Sequence, residues 1–149
     1  MNDAKTALGQ KILALKAKQG LTWAQVAAKV DRSPVWTCAA CLGQMTLTAE
    51  QAEKIGLLFG LDEDDMVVLQ TVPYRGSLPT QVPTDPLIYR FYELVMVYGT
   101  TWKEMIHEEF GDGIMSAIDF DMTMERQPDQ KGDRVRLTMS GKFLSYKQY

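Results

Sequence analysis

The sequence lacks long apolar runs and has few residues that bind metals or form disulfides. No apolar run is long enough to cross a bilayer, and the opening MNDAKTALGQ lacks the apolar core of a secretory signal. Two cysteines and a single histidine provide neither a disulfide framework nor the ligands of a zinc site. We therefore expect a cytoplasmic protein with no membrane partner, no metal and no bound cofactor.

An excess of positive charge is also missing. The chain has 16 Lys and Arg against 19 Asp and Glu, which gives a formal net charge of −3. Residues 1–65 have a net charge of −1 and residues 66–149 a net charge of −2. Neither half has the basic surplus that attracts phosphate backbones or anionic lipid. Nucleic acid is therefore not an expected partner.

The two cysteines, Cys38 and Cys41, are three residues apart in a segment with helical signals. One CxxC pair without a nearby histidine does not complete a zinc tetrahedron. A redox pair needs a helix N-terminus to lower the thiol pKa, and this pair is predicted to lie inside a helix. We expect both side chains to act as small buried hydrophobes.

Residues 1–72 are predicted to form an all-α bundle of five short helices. Two of these helices begin with a capping box, Thr22 with Gln25 and Thr48 with Gln51. No segment of this half alternates between apolar and polar residues as a strand would. The N-terminal domain is therefore predicted to contain no sheet.

The order of short helix, tight turn and short helix resembles the helix-turn-helix of phage repressors. Residues 34–42 occupy the place of the recognition helix, which should present base-reading and phosphate-binding side chains. This segment offers Trp36 and Thr37 but neither Lys nor Arg. A DNA-binding regulator stays open as an alternative function because the predicted order of helices fits one. The side chains that would contact DNA are missing from this segment.

A proline-rich, extended connector over 73–86 separates the bundle from a second domain over 87–149. The second domain is predicted to open with a helix over 86–99. A capping box of Thr101 with Glu104 indicates that a separate helix follows.

Beyond these helices the sequence alternates with a period of two, which predicts strands. One strand is expected over 117–125, a second over 134–139, and a third, KFLSY, after Gly141. So small a sheet is not stable alone, and its Met and Phe side chains favour pairing with another chain. The fold class is therefore α+β.

Three polar residues are candidates for chemistry. Arg90 and Glu93 lie three apart on a helix with no other charge, so they form either a structural ion pair or an anion site. Ser116 follows GDGIM, where glycines allow backbone N–H groups to approach a ligand, although such a serine is often only a turn residue. His107 is expected to be a solvent-edge or half-buried helix residue, because it has no triad partner and no second histidine.

The segment PTDPLIYRFYELVMVYGTTWKEMIHEEFGDGIMSAIDF closely resembles the signature region of the cyanases, also called cyanate hydratases. LDEDDMVVLQTVPYRG and GKFLSYKQY are similar to that family as well, so the resemblance covers essentially the whole chain. It implies a lyase that combines cyanate with bicarbonate to give carbamate and carbon dioxide. The carbamate would then release ammonia and more carbon dioxide, which detoxifies cyanate and provides nitrogen.

The resemblance also implies a site and an assembly. The three catalytic residues of the family fall on Arg90, Glu93 and Ser116. The implied fold is a repressor-like helical bundle followed by a dimerisation domain whose strands interlock with those of a partner. The implied assembly is a homodecamer, a pentamer of dimers with active sites between dimers. The implied reaction needs no metal or organic cofactor, because the co-substrate bicarbonate supplies the attacking oxygen. A non-catalytic assembly protein remains the other alternative.

The chemistry of the substrates suits these residues. Cyanate and bicarbonate are both anions, and bringing them together costs Coulomb energy that a dry site magnifies. A guanidinium stays protonated and offers a planar fork of donors, so Arg90 is a fitting counter-charge. Glu93 has the wrong sign to contact the substrates, and we expect it to position Arg90 or Ser116.

Overall fold

The computed structural model describes residues 3–76 and 78–149. In these residues six helices precede two strands: α1 Asp3–Gln19, α2 Trp23–Val30, α3 Pro34–Cys41, α4 Ala49–Phe59, α5 Glu63–Gln70, α6 Pro86–Phe110, β1 Gly113–Gln127 and β2 Arg134–Ser145. The strands form one two-stranded sheet. The architecture is therefore α+β, with an all-α N-terminal half as the sequence predicts.

The chain divides into two compact units. The first contains the described residues up to 76 together with Met122–Thr138, and the second contains Leu78–Asp121 and Met139–Tyr149. The hydrophobic core lies in the first unit, among the buried side chains of Leu8, Ile12, Val26, Val30, Ala40, Cys41, Leu47, Ala52, Ile55, Phe59, Leu61 and Leu69. The candidate site residues all belong to the second unit.

Both predicted capping boxes are confirmed. The Thr22 hydroxyl accepts a hydrogen bond from the Gln25 N–H at 3.2 Å, and Gln25 Oε1 accepts one from the Thr22 N–H at 2.8 Å. Thr48 and Gln51 exchange the same pair of bonds, at 3.2 and 2.9 Å. Each box satisfies backbone N–H groups that have no partner within the helix, and this fixes where α2 and α4 begin.

The prediction of two helices between residues 86 and 110 is wrong, because α6 runs without a break for 25 residues. The capping box of Thr101 with Glu104 is not formed, and Gly99 lies inside the helix. The rings of Tyr98 and Trp102 stack across this segment with their centroids 6.3 Å apart. That i,i+4 contact and the continuing apolar spacing outweigh the cost of about 1 kcal/mol for a glycine in a helix.

The prediction of three strands is also wrong. β2 continues through Gly141 to Ser145, so that the expected second and third strands are one element. Glycine at this position is typical of a turn, but Gly141 does not have the positive φ of a turn glycine. β1 has 15 residues and β2 has 12, so the longer strand has more residues than its partner can pair with.

The surface of α6 is unusually apolar for a single chain. None of its residues is buried. Its exposed large hydrophobic side chains are Leu87, Ile88, Phe91, Leu94, Val95, Met96, Val97, Tyr98, Trp102, Met105 and Phe110. No described helix, α6 included, is both long and apolar enough to cross a membrane. A contiguous apolar surface of this kind is typical of a protein–protein interface.

Candidate active site

The first turn of α6 is fixed by its N-cap. The Asp85 carboxylate accepts hydrogen bonds from the N–H groups of Leu87 and Ile88 at 2.9 and 3.0 Å. Pro86 is the first helical residue, where its lack of an N–H costs nothing. The Pro86 carbonyl in turn accepts a hydrogen bond from Arg90 Nε at 3.2 Å. The helix start therefore anchors the Arg90 side chain, a role for Asp85 and Pro86 that the sequence analysis missed.

The Arg90 guanidinium is held on two further sides. Its Nη1 donates to Glu93 Oε2 at 3.0 Å, and its Cζ lies 5.5 Å from the ring centroid of Tyr89. A guanidinium has five N–H donors, and the Pro86 carbonyl and Glu93 occupy two of them. The remaining N–H groups, including both on Nη2, are available to bind an anion. Glu93 thus orients a fork of donors.

The Arg90–Glu93 pair is open to solvent in one chain. The side chains of Arg90 and Glu93 are 63% and 46% exposed. An exposed ion pair at i,i+3 is worth only a few tenths of a kcal/mol, so its contribution to stability does not explain the pair. An anion site at these residues needs a cover that excludes water and strengthens the electrostatic attraction.

Ser116 is buried, with 5% of its surface exposed. Its Oγ accepts hydrogen bonds from the N–H groups of Ile118 at 3.0 Å and of Asp119 at 2.9 Å. A hydroxyl oxygen has two lone pairs, so both are in use, and the one remaining hydrogen-bonding function is the hydroxyl hydrogen. In this geometry Ser116 therefore keeps one hydrogen-bond donor and has no free lone pair.

His107 links the last turn of α6 to the first residue of β1. Its Nε2 lies 3.2 Å from the carbonyl oxygen of Gly113, which only accepts, so Nε2 carries the hydrogen and donates. Its Nδ1 lies 3.5 Å from Nζ of Lys103 and accepts from that ammonium. His107 is half-buried, as predicted. The link itself was missed, because a contact over six residues leaves no periodic signal.

The structure brings Arg90 and Glu93 together, but it joins neither of them to Ser116 by a hydrogen bond. His107, which anchors the start of β1, is 17 residues along α6 from Arg90, or about 25 Å at 1.5 Å per residue. In one chain the ion pair and the serine are therefore attached to opposite ends of α6.

The cysteines do not form a reactive site. Cys41 is buried and Cys38 is half-buried, so the prediction of burial holds fully for Cys41 alone. Burial, and then the nearby Cys38 thiol, raise the pKa of Cys41 to about 12, and burial raises the pKa of Cys38. Because the thiolate is the nucleophile, both thiols are inert at neutral pH.

The first unit has an apolar cavity of about 490 Å³ that is distinct from these polar residues. It lies beside Trp23, Pro34, Cys38 and Met122, and none of its lining residues is charged. This lining offers no cation and is mostly apolar, so the cavity is a poor candidate for the anion site. In residues 3–76 and 78–149 no group of three or more His, Cys, Asp or Glu side chains is placed to hold a metal ion.

Models of two protein domains match this chain. Residues 5–73 match the N-terminal domain of cyanate hydratase, and residues 80–148 match the C-terminal domain of cyanate lyase. The cyanate hydratase of Methylibium petroleiphilum is 66% identical over 140 residues, which cover 94% of this chain and 95% of that protein. The cyanate hydratase of Variovorax paradoxus is 64% identical with the same coverage.

A solved structure with the same fold extends the match. The crystal structure of cyanase from T. urticae has a TM-score of 0.79 and 37% sequence identity, and the alignment covers 93% of this chain and 96% of that one. The two family matches together span nearly the whole sequence. The chain therefore belongs to the cyanate hydratase family.

Proposed function

We propose that the chain is a cyanate hydratase, a lyase that converts cyanate and bicarbonate into carbamate and carbon dioxide. A bicarbonate oxygen attacks the cyanate carbon, and the nitrogen takes up two protons, the one that bicarbonate carries and one from solvent. The bond between the bicarbonate carbon and the attacking oxygen then breaks, which releases carbon dioxide and leaves carbamate. The carbamate decomposes to ammonia and a second carbon dioxide. The observation that carries this proposal is the oriented guanidinium of Arg90 in a chain of this family.

Arg90, Glu93 and Ser116 are the proposed catalytic site. The unoccupied N–H groups of Arg90 bind the two anions and offset their repulsion. Glu93 keeps the Arg90 guanidinium in place by accepting a hydrogen bond from Nη1. The Ser116 hydroxyl donates to an oxygen on which charge develops, and this donor is fixed before the reaction begins. Holding the substrates in contact is the main contribution to the rate.

The site is proposed to form between chains of an oligomer. The open Arg90–Glu93 pair, the separate position of Ser116 and the exposed apolar surface of α6 all support this arrangement. A site that gathers residues from several chains also collects more than one Arg90, which suits two anionic substrates. We propose a homodecamer, a pentamer of dimers with interlocking C-terminal strands.

The assembly gives a first prediction. Sedimentation should yield a mass of about 168 kDa, ten times the chain mass of 16.8 kDa, because the apolar face of α6 must be covered. Analytical ultracentrifugation at the concentration of the activity assay measures it. A monomeric or dimeric mass with full activity would contradict the shared site.

Three further features complete the proposal. The domains divide as 1–72, 73–86 and 87–149, and this division is supported by family matches that end at residue 73 and begin at residue 80. Bicarbonate is a co-substrate, and the chain is assigned no metal or organic cofactor. The enzyme acts in the cytoplasm, where it detoxifies cyanate and releases its nitrogen.

Ammonia release from cyanate, with and without added bicarbonate, tests the proposal. Turnover should require bicarbonate. A non-catalytic assembly protein would release no ammonia under either condition. The alternative of a DNA-binding regulator is not favoured, since α3, in the position of a recognition helix, consists of PVWTCAAC and has no basic residue. A gel shift with mixed duplex DNA should show no complex.

A further inference from the structure

Gly141 lies inside β2, a position where glycine is unfavourable. Glycine loses more conformational freedom on folding than other residues and has no side chain to pack in a sheet. Its backbone conformation does not require glycine, because Gly141 is not among the residues with positive φ. A glycine of this kind inside a strand indicates that another backbone approaches it closely.

The backbone that approaches Gly141 is that of Ser116. A Cβ atom at position 141 would lie 2.4 Å from the Ser116 carbonyl oxygen and 2.6 Å from Cγ of Met115. Real Cβ atoms essentially never come within 3.0 Å of such atoms. The Met115 side chain is flexible and 44% exposed, so it can rotate away. The Ser116 carbonyl moves only if β1 itself moves.

A shift of this carbonyl would also shift the hydroxyl of Ser116. The Ser116 Oγ is held by the N–H groups of Ile118 and Asp119, two and three residues further along β1. A serine hydroxyl that accepts from backbone N–H groups two and three residues further on has its direction tied to the course of its own strand. The direction of the Ser116 hydroxyl therefore depends on the backbone of β1 at Ser116, which β2 approaches at Gly141.

We propose that Gly141 is a positioning residue for the reaction. The absence of a Cβ atom at position 141 lets β2 approach the Ser116 backbone and sets the direction of the Ser116 hydroxyl. Gly141 contacts no substrate and acts only through Ser116. The inference rests on the proposed catalytic role of Ser116.

The test is Gly141→Ala in the full-length, assembled enzyme. We expect kcat to fall about 10- to 100-fold with little change in KM, as a misplacement of a catalytic group by about 1 Å does. In a Ser116→Ala background the same substitution should lower kcat no further, because the hydroxyl that it misplaces is gone. Oligomer mass and Tm are measured for each variant.

Gly132→Ala is the matched control for damage to the hairpin. Gly132 has a φ of +118° and no atom within 4 Å of a built Cβ, so alanine strains the turn without touching Ser116. We expect it to lower Tm and to leave kcat unchanged. This separates loss of stability from loss of positioning.

Met115→Ala with Gly141→Ala is the second variant, for use if the single substitution does not assemble. It removes the side-chain crowding and keeps the conflict with the Ser116 carbonyl, so the fall in kcat should persist. Three results would each overturn the inference. They are a wild-type kcat in an assembled Gly141→Ala enzyme, a further loss of kcat when Gly141→Ala is added to Ser116→Ala, and failure of both variants to assemble. A wild-type enzyme without turnover would instead overturn the proposed function.

Discussion

Replacement of Arg90 by lysine is expected to lower kcat/KM for cyanate by about two to three orders of magnitude. Lysine keeps the positive charge but loses the planar fork, so its single nitrogen cannot reproduce the separate Nε and Nη1 contacts and still present a pair of donors to an anion. The oligomer should stay intact, because the pair contributes little to stability. Steady-state ammonia release, with cyanate and bicarbonate varied in turn, measures the effect.

Arg126→Lys is the matched control for this substitution. Arg126 also forms an exposed ion pair, at 2.9 Å from Asp133, but it lies near the turn of the hairpin and outside the proposed site. Its replacement should leave kcat/KM unchanged. Glu93→Gln should reduce turnover less than Arg90→Lys, since the amide oxygen still accepts from Nη1 without the charge. Near wild-type rates for both variants at positions 90 and 93 would reduce the pair to a structural ion pair.

Ser116→Ala is expected to lower kcat by about 100- to 1000-fold, which is the usual effect of removing one preorganised donor to developing charge. KM should change less, because the donor acts mainly in the transition state. The substitution also leaves the N–H groups of Ile118 and Asp119 without their acceptor, so Tm should fall. Initial rates and thermal denaturation are measured on the same preparation.

Ser116→Thr separates these two effects. Threonine keeps an oxygen that accepts the two N–H groups and donates one hydrogen, so it should retain more activity and more stability than alanine. If Ser116→Ala had a lower Tm with wild-type kcat, the serine would serve only to bind the N–H groups of Ile118 and Asp119.

Local signals made the helices of the N-terminal half predictable. The capping boxes at Thr22 and Thr48 depend on residues within one turn of each other. Such contacts are specified by the sequence that forms them, and tertiary packing does not alter them here. The beginnings of α2 and α4 therefore agree with the sequence.

The errors in the second domain arose where other contacts override a cap signal and a turn signal. Thr101 with Glu104 has the spacing of a capping box, yet the stacking of Tyr98 on Trp102 and the apolar spacing carry α6 through it. Glycine is typical of turns, yet Gly141 continues β2, because the backbone of Ser116 in β1 lies opposite it. The first outcome depends on a helical i,i+4 contact that competes with the cap signal, and the second depends on a residue of the other strand.

The candidate site was predictable in part. The i,i+3 spacing of Arg90 and Glu93 predicts their ion pair, which is present. Neither spacing nor composition relates that pair to Ser116, and one chain does not join them by a hydrogen bond. Their grouping comes from the family resemblance, and the proposed reason is that the site is completed by other chains.

The origin of the first carbon dioxide released tests the central claim most directly. With ¹³C-labelled bicarbonate and unlabelled cyanate, rapid-mixing mass spectrometry should find the label in the first carbon dioxide, and the cyanate carbon in carbamate. The measurement must be completed before bicarbonate and carbon dioxide exchange, because that exchange mixes the label. Unlabelled first carbon dioxide, or full-rate consumption of cyanate in bicarbonate-free buffer, would show a simple hydrolase and contradict the proposed reaction.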